Sequence, residues 1–461
     1  MKAKHYEALA FDFDGTLFDT AELNYRAYKL AYFDLGIEID EAMFRKTHGL
    51  SVYEFNQAMG VECDVERLRV LKAKYYKDYV LYAKPNLYLI NLIEQSSLRK
   101  VLVTTARMCN IKPLLDKYNI FNKFDSIITQ EDVKKHKPDP EAYNIAMKDI
   151  GVNSRYCLAF EDSRAGFVAA RSAGLDCIMI KRFEKDCLVD ATGGSEAKTK
   201  IYFEGDMLIV KKMTTTADSS ERLRNQYNFL EQQKDYYVEV YEKQDGGDLF
   251  SYCMPYVMGV NLYEYQNKIK MLPMVMDQLY QASRPTVGNN QKEITEEIIT
   301  RYIKPGIDVL NRCTGWGVPY PELSRKVNLN DYLISNYHGD ATFENVIIQR
   351  DDNIVFIDPL PDRNIINGLL QDFAKLGQSL YGYEAIKEHK NFDYTIERKI
   401  YERRAMRYLS ENEFKSLKVH IACMFFRRLK YQERQDKSLV AVFGRIALQL
   451  IDEFNSGNFS F

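Results

Sequence analysis

Apolar positions along the chain follow three successive rhythms. Residues 6–13 (YEALAFDF) form an aromatic-rich apolar run ending in acidic residues and Gly15, which predicts a buried strand entering a tight loop. Over 20–95 the apolar residues recur with helical period, as in ELNYRAYKLAYFDL and VERLRVLKAKYYKDYVLY. They predict a helical block about the size of a small cap domain. From residue 99 the rhythm changes again. Short apolar runs at 100–104, 125–129, 156–160 and 176–181 alternate with helical patterns at about 110–118, 139–150 and 163–173. Strands alternating with helices imply a parallel, doubly wound α/β sheet, here with a helical cap.

The segment 184–199 loses periodicity, contains Gly193, Gly194 and Ser195, and reads as a linker. Beyond it, KIYFEGDMLIVKKM predicts a hairpin turning at Glu204-Gly205-Asp206, and YYVEVYEKQDGGDLFSYCM predicts another turning at Asp245-Gly246-Gly247. One helix, 218–233, lies between them. After Pro255 the pattern is mostly helical, interrupted by a strand pair at 345–349 and 353–357. The expected organisation is a domain over 1–183, a linker over 184–199, and a second, two-lobed α+β domain over 200–461. The small lobe of that second domain spans about 200–255 and the helical lobe 256–461.

Composition narrows the function classes. A chain of 461 residues exceeds one hydrophobic core, and 46% apolar content with mixed charge fits ordinary globular domains. The net charge of −2 and the lack of a long Lys/Arg run argue against a dedicated nucleic-acid binder. An Asp interrupts the N-terminal apolar run too early for a signal peptide, and no stretch is apolar enough to predict a membrane span. Eight cysteines are scattered from Cys63 to Cys423 with no CxxC pair. They read as reduced thiols of a cytoplasmic protein.

Two segments carry chemistry. FDFDGTLFDT at 11–20 places Asp12 and Asp14 two apart at a strand end, where open α/β sheets bind ligands. Carboxylates at this spacing can divide labour: Asp12 attacks phosphorus, while Asp14 handles the leaving-group proton and then activates water. The string resembles the DxDGTLxDT signature of the haloacid dehalogenase superfamily. The resemblance covers residues 6–183 and implies further stations. Thr104, in VLVTTA, would hydrogen-bond the phosphoryl group, and Lys137, in HKPDP, would neutralise it. Glu161 and Asp162, in FEDSRAG, would hold Mg²⁺ together with Asp12 and Asp14. The helical block resembles the cap of the phosphoglycolate phosphatase/β-phosphoglucomutase branch. The family usually has Gly where His136 stands here.

The second segment, YHGDATFENVIIQRDDNIVFIDPLP at 337–361, spaces Asp340 and Asn345 five apart, as in the HRDxxxxN loop of kinases, and presents Asp358 after two short strands. Asp340 would deprotonate an acceptor hydroxyl, and Asn345 and Asp358 would hold Mg²⁺ on ATP. The form HGDxxxxN with IDP resembles the aminoglycoside and choline kinases, over about 198–461. That resemblance implies a nucleotide-binding lysine at Lys211, or its neighbour Lys212, and an adenine-facing hinge in MPYVMG that includes Met254 and Tyr256. The helix after Lys211 carries Gln226 where a glutamate partner is expected, so Glu221 or Glu231 would substitute. Asp372 and Lys375, downstream, read as scaffolding, and the tyrosines of 379–408 as core, with the lining of an acceptor pocket as the alternative.

Together these readings predict a bifunctional Mg²⁺-dependent phosphatase and ATP-dependent kinase. Its partners would be a small phosphate ester and an alcohol acceptor, such as a sugar, polyol or amino-alcohol phosphate of surface-polysaccharide or cell-envelope precursor synthesis. The alternative is an active phosphatase joined to a non-catalytic kinase-like binding or regulatory domain. Nucleic-acid end repair and antibiotic inactivation are further readings, disfavoured by the charge balance and by the fusion respectively.

Overall fold

The computed structural model describes residues 5–46, 52–192, 197–233, 237–283, 294–323, 329, 335–361 and 368–456. Two compact units divide between Lys212 and Met213.

In the first unit, β1 (Ala8–Phe11) precedes a two-residue pair, β2 (Phe18–Asp19) and β3 (Lys84–Pro85). Then come β4 (Arg99–Val103), β5 (Ser126–Ile128), β6 (Cys157–Glu161) and β7 (Asp176–Met179). The sheet is parallel, in the order β5-β4-β1-β6-β7. β1 lies at its centre with all four residues buried, which explains why its sequence is a continuous apolar run and not an alternation. Its register pairs Phe11 with Leu102 on one side and Phe160 on the other. The residues that follow, Asp12 and Glu161, therefore emerge side by side at the carboxyl edge of the sheet. Helices Met108–Lys117, Glu141–Ile150 and Arg164–Ser172 lie close to their expected places.

The cap is helical as expected, with helices Ala21–Phe33, Glu41–Lys46, Val52–Met59 and Val65–Tyr76. Its own core gathers Tyr25, Tyr32, Phe44, Phe55 and Leu68. Asp64 starts the last of these helices by accepting the N–H groups of Glu66 and Arg67.

The expected linker is not a plain connector. It contains β8 (Val189–Thr192), which pairs antiparallel with β9 (Lys198–Glu204) in the register Val189–Ile201. Residues 193–196, including Gly193, Gly194 and Ser195, lie outside the described residues. β10 (Met207–Met213) follows a turn at Gly205, whose φ of +61° suits glycine. This hairpin, expected to open the second domain, packs on the first unit. Tyr6 N–H donates to Asp206 O at 3.3 Å, and Phe203 N–H donates to the Tyr88 hydroxyl at 2.7 Å. The Phe203 ring lies 6.5 Å from that of Tyr6 and 6.2 Å from that of Phe160.

The second unit begins with helix Ala217–Gln232, capped by Thr216 and Ser219. β11 (Tyr241–Asp245) and β12 (Phe250–Pro255) form the expected hairpin. A three-stranded antiparallel sheet follows, built from β13 (Val260–Asn261), β14 (Val346–Ile348) and β15 (Ile354–Phe356). Among the helices of this unit, Leu369–Leu380 is buried at every one of its 12 positions, Asp372 and Lys375 included. Glu411–Gln435, capped by Ser410, packs against it and against Ser438–Ser456. No described helix is long and apolar enough to cross a membrane, and among the described residues the eight cysteines form no disulfide.

Two candidate active sites

At the carboxyl edge of the first sheet, Lys137 joins the groups carried by β1, β4 and β6. Its ammonium lies 2.7 Å from Asp12 Oδ1 and 2.6 Å from Glu161 Oε1, and donates to Val103 O at 2.9 Å. The lysine and glutamate side chains are almost wholly buried. Tyr143 donates a further hydrogen bond to Glu161. Burial works against the charge of Lys137, but Asp12 and Glu161 outweigh it and hold the ammonium above the ordinary lysine range. Burial, and then repulsion from Asp12, pushes Glu161 up to about 8. Asp162 rises to about 7 for the same reasons, and Asp12 is also raised by burial despite its lysine.

Such a cluster of mutually repelling carboxylates calls for more positive charge than one lysine. An oxygen from each of Asp12, Glu161 and Asp162 lies within 4.8 Å of the others, and Glu161 Oε2 is buried with no hydrogen-bond partner. An orphaned carboxylate oxygen in an all-oxygen set fits a hard divalent cation such as Mg²⁺. Two glycines make room for it. A Cβ on Gly15, whose φ is +77°, would meet Asp162 Oδ2 at 2.0 Å, and one on Gly166 would meet Glu161 Oε2 at 1.9 Å.

Asp14, expected among the metal ligands, does not join this group. Its carboxylate accepts a hydrogen bond from Thr20 instead, and the side chain of Asn24 lies 3.5 Å away. β1 ends at Phe11, so the chain turns between Asp12 and Asp14, and only Asp12 sits with Glu161 and Asp162. Thr104 is buried at the end of β4 and bonds the Ala106 N–H at 3.0 Å. It does not cap the next helix, whose N-cap is Arg107. His136 is exposed.

The cap contributes a lysine that motif reading overlooked. Lys72 is buried, with its ammonium 4.1 Å from the centre of the Tyr76 ring and 5.4 Å from that of Tyr28. Burial lowers it to about 8, and the charge of Asp14 opposes that shift. Its place on a helical apolar stripe was the available signal, since a lysine at a core position has a reason to be there.

In the second unit, the segment 337–361 is held at several points. The buried carboxylate of Asp372 accepts the backbone N–H groups of His338 and Gly339 at 2.8 and 2.7 Å. The His338 ring bonds Ile357 O at 2.8 Å, and Ile357 N–H donates to Asn345 O at 3.0 Å. Asn345 Nδ2 in turn donates to Asp340 O and Oδ2 at 2.9 and 3.2 Å. Asp340, Asn345 and the residue preceding Asp358 are thereby tied into one network. Asp358 itself adopts a φ of +57°.

Lys375, from the buried helix, lies 2.9 Å from Asp340 Oδ1. Burial disfavours the charge of Asp340, but Lys375 and then Arg428 outweigh it and bring the carboxyl down to about 2. Asp372 and Lys375 were expected to be scaffolding. Asp372 fits that expectation, but Lys375 touches the central carboxylate directly.

The small-lobe expectations fare differently. Lys212, not Lys211, is the lysine that β10 turns inward, on the same face as the buried Leu208 and Val210. Met254 is buried in β12 and Tyr256 is partly buried just after it. Gln226 does not wait for a charged partner: its amide donates to Pro359 O at 2.8 Å and accepts from the Tyr252 hydroxyl at 2.8 Å. Glu221 and Glu231 are exposed. Tyr401 belongs to the core, its hydroxyl donating to Phe373 O at 2.6 Å.

Residues 9–180 match the model of the haloacid dehalogenase-like hydrolase family. Protein CbbY of Rhodobacter capsulatus is 30% identical over 193 residues, covering 38% of this chain and 84% of its own. Fructose-1-phosphate phosphatase YqaB of Escherichia coli (strain K12) is 25% identical over 184 residues, 39% of this chain and 98% of its own. Phosphorylated carbohydrates phosphatase of Thermotoga maritima is 26% identical over 181 residues, 37% of this chain and 83% of its own. The matched stretch contains both the parallel sheet and the carboxylates gathered at its edge, and through it the N-terminal unit of this chain belongs to the haloacid dehalogenase-like hydrolases.

Proposed function

We propose that the chain removes phosphate from a phosphorylated sugar or a related small metabolite at the Asp12 site, and transfers phosphate from ATP to an alcohol at the Asp340 site. The observation that carries the first half is the ammonium of Lys137 shared between Asp12 and Glu161, with a carboxylate oxygen left over for a cation. Asp12 attacks the phosphorus, forming an aspartyl phosphate as the bond to the leaving oxygen breaks. Asp14, steadied by Thr20, gives that oxygen its proton. It then takes a proton from the water whose oxygen displaces Asp12. Asp12, Glu161 and Asp162 would hold Mg²⁺, which when bound supplies positive charge against the phosphate and the crowded carboxylates. The substrate class is taken from relatives that act on fructose 1-phosphate and on phosphorylated carbohydrates.

The second half rests on the hydrogen-bonded placing of Asp340 and Asn345 beside the segment that carries Asp358. Asp340 would accept the acceptor hydroxyl's proton as its oxygen bonds to the γ-phosphorus and the bridge to ADP breaks, and Asn345 and Asp358 would hold Mg²⁺ on the nucleotide. The test is a metabolite panel run with ATP and the full chain, with Asp12→Asn and Asp340→Asn as separate knockouts. Phosphate release should disappear with the first and transfer with the second. ATP binding without transfer, unchanged by Asp340→Asn, would make the second unit a binding module; phosphate release that survives Asp12→Asn would sink the first assignment.

A further inference from the structure

The two oxygens of Glu161 face different surroundings. Oε1 accepts the Lys137 ammonium at 2.6 Å and a hydrogen bond from the Tyr143 hydroxyl. A carboxylate oxygen has two lone pairs, so these two donors fill Oε1. Oε2 is buried and has no hydrogen-bond partner among the described residues. The carboxylate is packed into the space that a side chain at Gly166 would take: a Cβ there would meet Oε2 at 1.9 Å and Oε1 at 2.4 Å. Both donors are themselves held. Tyr143, on the helix Glu141–Ile150, is wholly buried in the core cluster that includes Ala10, Val103, Ala146 and Ala159. Phenylalanine would fill the same apolar space, so burial accounts for the ring, and the bond to Glu161 accounts for the hydroxyl. Lys137 lies 5.3 Å from the centre of that ring and is tied to Asp12 and to Val103 O as well.

We infer that Tyr143 is a positioning residue that leaves Glu161 one oxygen for a cation and thereby selects Mg²⁺ over Ca²⁺. With Oε1 filled, only Oε2 is open to a metal. Mg²⁺ accepts single carboxylate oxygens and keeps several waters, whereas Ca²⁺ takes more ligands and often holds a carboxylate by both oxygens. The inference rests on the cation reading of the Asp12 site, and the experiment separates the two. Mg²⁺ and Ca²⁺ are titrated in turn into the metal-stripped full chain, without nucleotide, and followed by calorimetry. Weaker binding in Glu161→Gln assigns the heat to this site. The unaltered chain should bind Mg²⁺ about 10-fold or more tightly than Ca²⁺. In Tyr143→Phe one lone pair of Oε1 is freed, and the ratio of the two affinities should move about 10-fold toward Ca²⁺, with Mg²⁺ held more weakly. A hydroxyl that served packing alone would lower the unfolding temperature of the metal-free chain and leave that ratio where it was. An unchanged ratio, or both affinities falling in parallel, would overturn the role of Tyr143 and leave the cation site standing. Binding of both ions unaffected by Glu161→Gln would overturn both. The unaltered chain decides the selection even where Tyr143→Phe does not fold, since Ca²⁺ bound as tightly as Mg²⁺ overturns it.

Discussion

Replacing Asp372 by Ala probes the anchoring of the 337–361 segment without touching any group placed in the chemistry. The carboxylate is buried and accepts the N–H groups of His338 and Gly339. Removing it orphans both donors at about 1–3 kcal/mol each, or about 2–6 kcal/mol in all. Asp372 is also costly when charged. Burial pushes it from its ordinary 3.8 to about 7, although its two N–H donors oppose the shift. The folded state thus keeps a proton that the unfolded chain has released between about pH 4 and 7. Stability falls as pH rises through that window and is flat on either side, by an amount on the order of 4 kcal/mol. The two effects oppose each other in the variant. At pH 5 Asp372→Ala should show most of the loss of its hydrogen bonds, whereas at pH 8 the relief of a buried charge offsets much of it. The assay is denaturant unfolding at both pH values, read by hydrogen exchange of peptides from 335–361. Other groups that titrate here, such as Glu384, pushed up to about 7, are common to both chains and cancel in the difference. Equal losses at pH 5 and pH 8, or a loss below about 0.5 kcal/mol at pH 5, would refute the reasoning.

The first unit yields three further expectations. Glu161→Gln keeps the shape of the side chain but removes its charge and the orphaned oxygen's affinity for a cation, so Mg²⁺ binding measured by calorimetry should weaken about 10-fold or more, with phosphatase turnover falling alongside. Phe203→Ala strips the ring packed near Tyr6 and Phe160; because Phe203 is only partly buried, the loss should be about 1–3 kcal/mol in the unfolding of the first unit, and a neutral result would mean that the hairpin does not contribute to that core. Lys72→Met preserves apolar volume while deleting the ammonium that lies over the Tyr28 and Tyr76 rings. The KM for a sugar phosphate should rise several-fold with little change in kcat, and a fall in kcat alone would place Lys72 elsewhere in the cycle.

Much of the first site was legible because its residues lie at strand ends, where short motifs and topology converge. Asp12, Thr104, Lys137 and Glu161 could be named in order before any fold was known. The Asp14 side chain lies apart from the Asp12, Glu161 and Asp162 group because the chain turns after β1, which spacing in the sequence does not report. Asp372 and Lys375 were undervalued for a different reason. Charged residues three apart on an apolar helix share a face, and since that helix is buried at every position, both needed partners within the core. The apolar pattern LLQDFAKLG held that signal. For Lys211 and Lys212, adjacent residues on a strand leave two phases open, and only packing chose Lys212.

A lysine ammonium has three protons to give, and in Lys137 all three are spoken for: by Asp12, Glu161 and the Val103 carbonyl. It therefore acts on an incoming phosphoryl group as a fixed positive charge, with no donor to spare unless one of those contacts breaks. The directional N–H and O–H bonds that orient the phosphoryl oxygens must come from other groups, the Thr104 hydroxyl and the backbone around the turn at Gly15 being the nearest by chain position. Orientation of the substrate is thus separated from neutralisation of its charge, and an arginine in place of Lys137 would restore charge without fitting a pocket built around a single nitrogen.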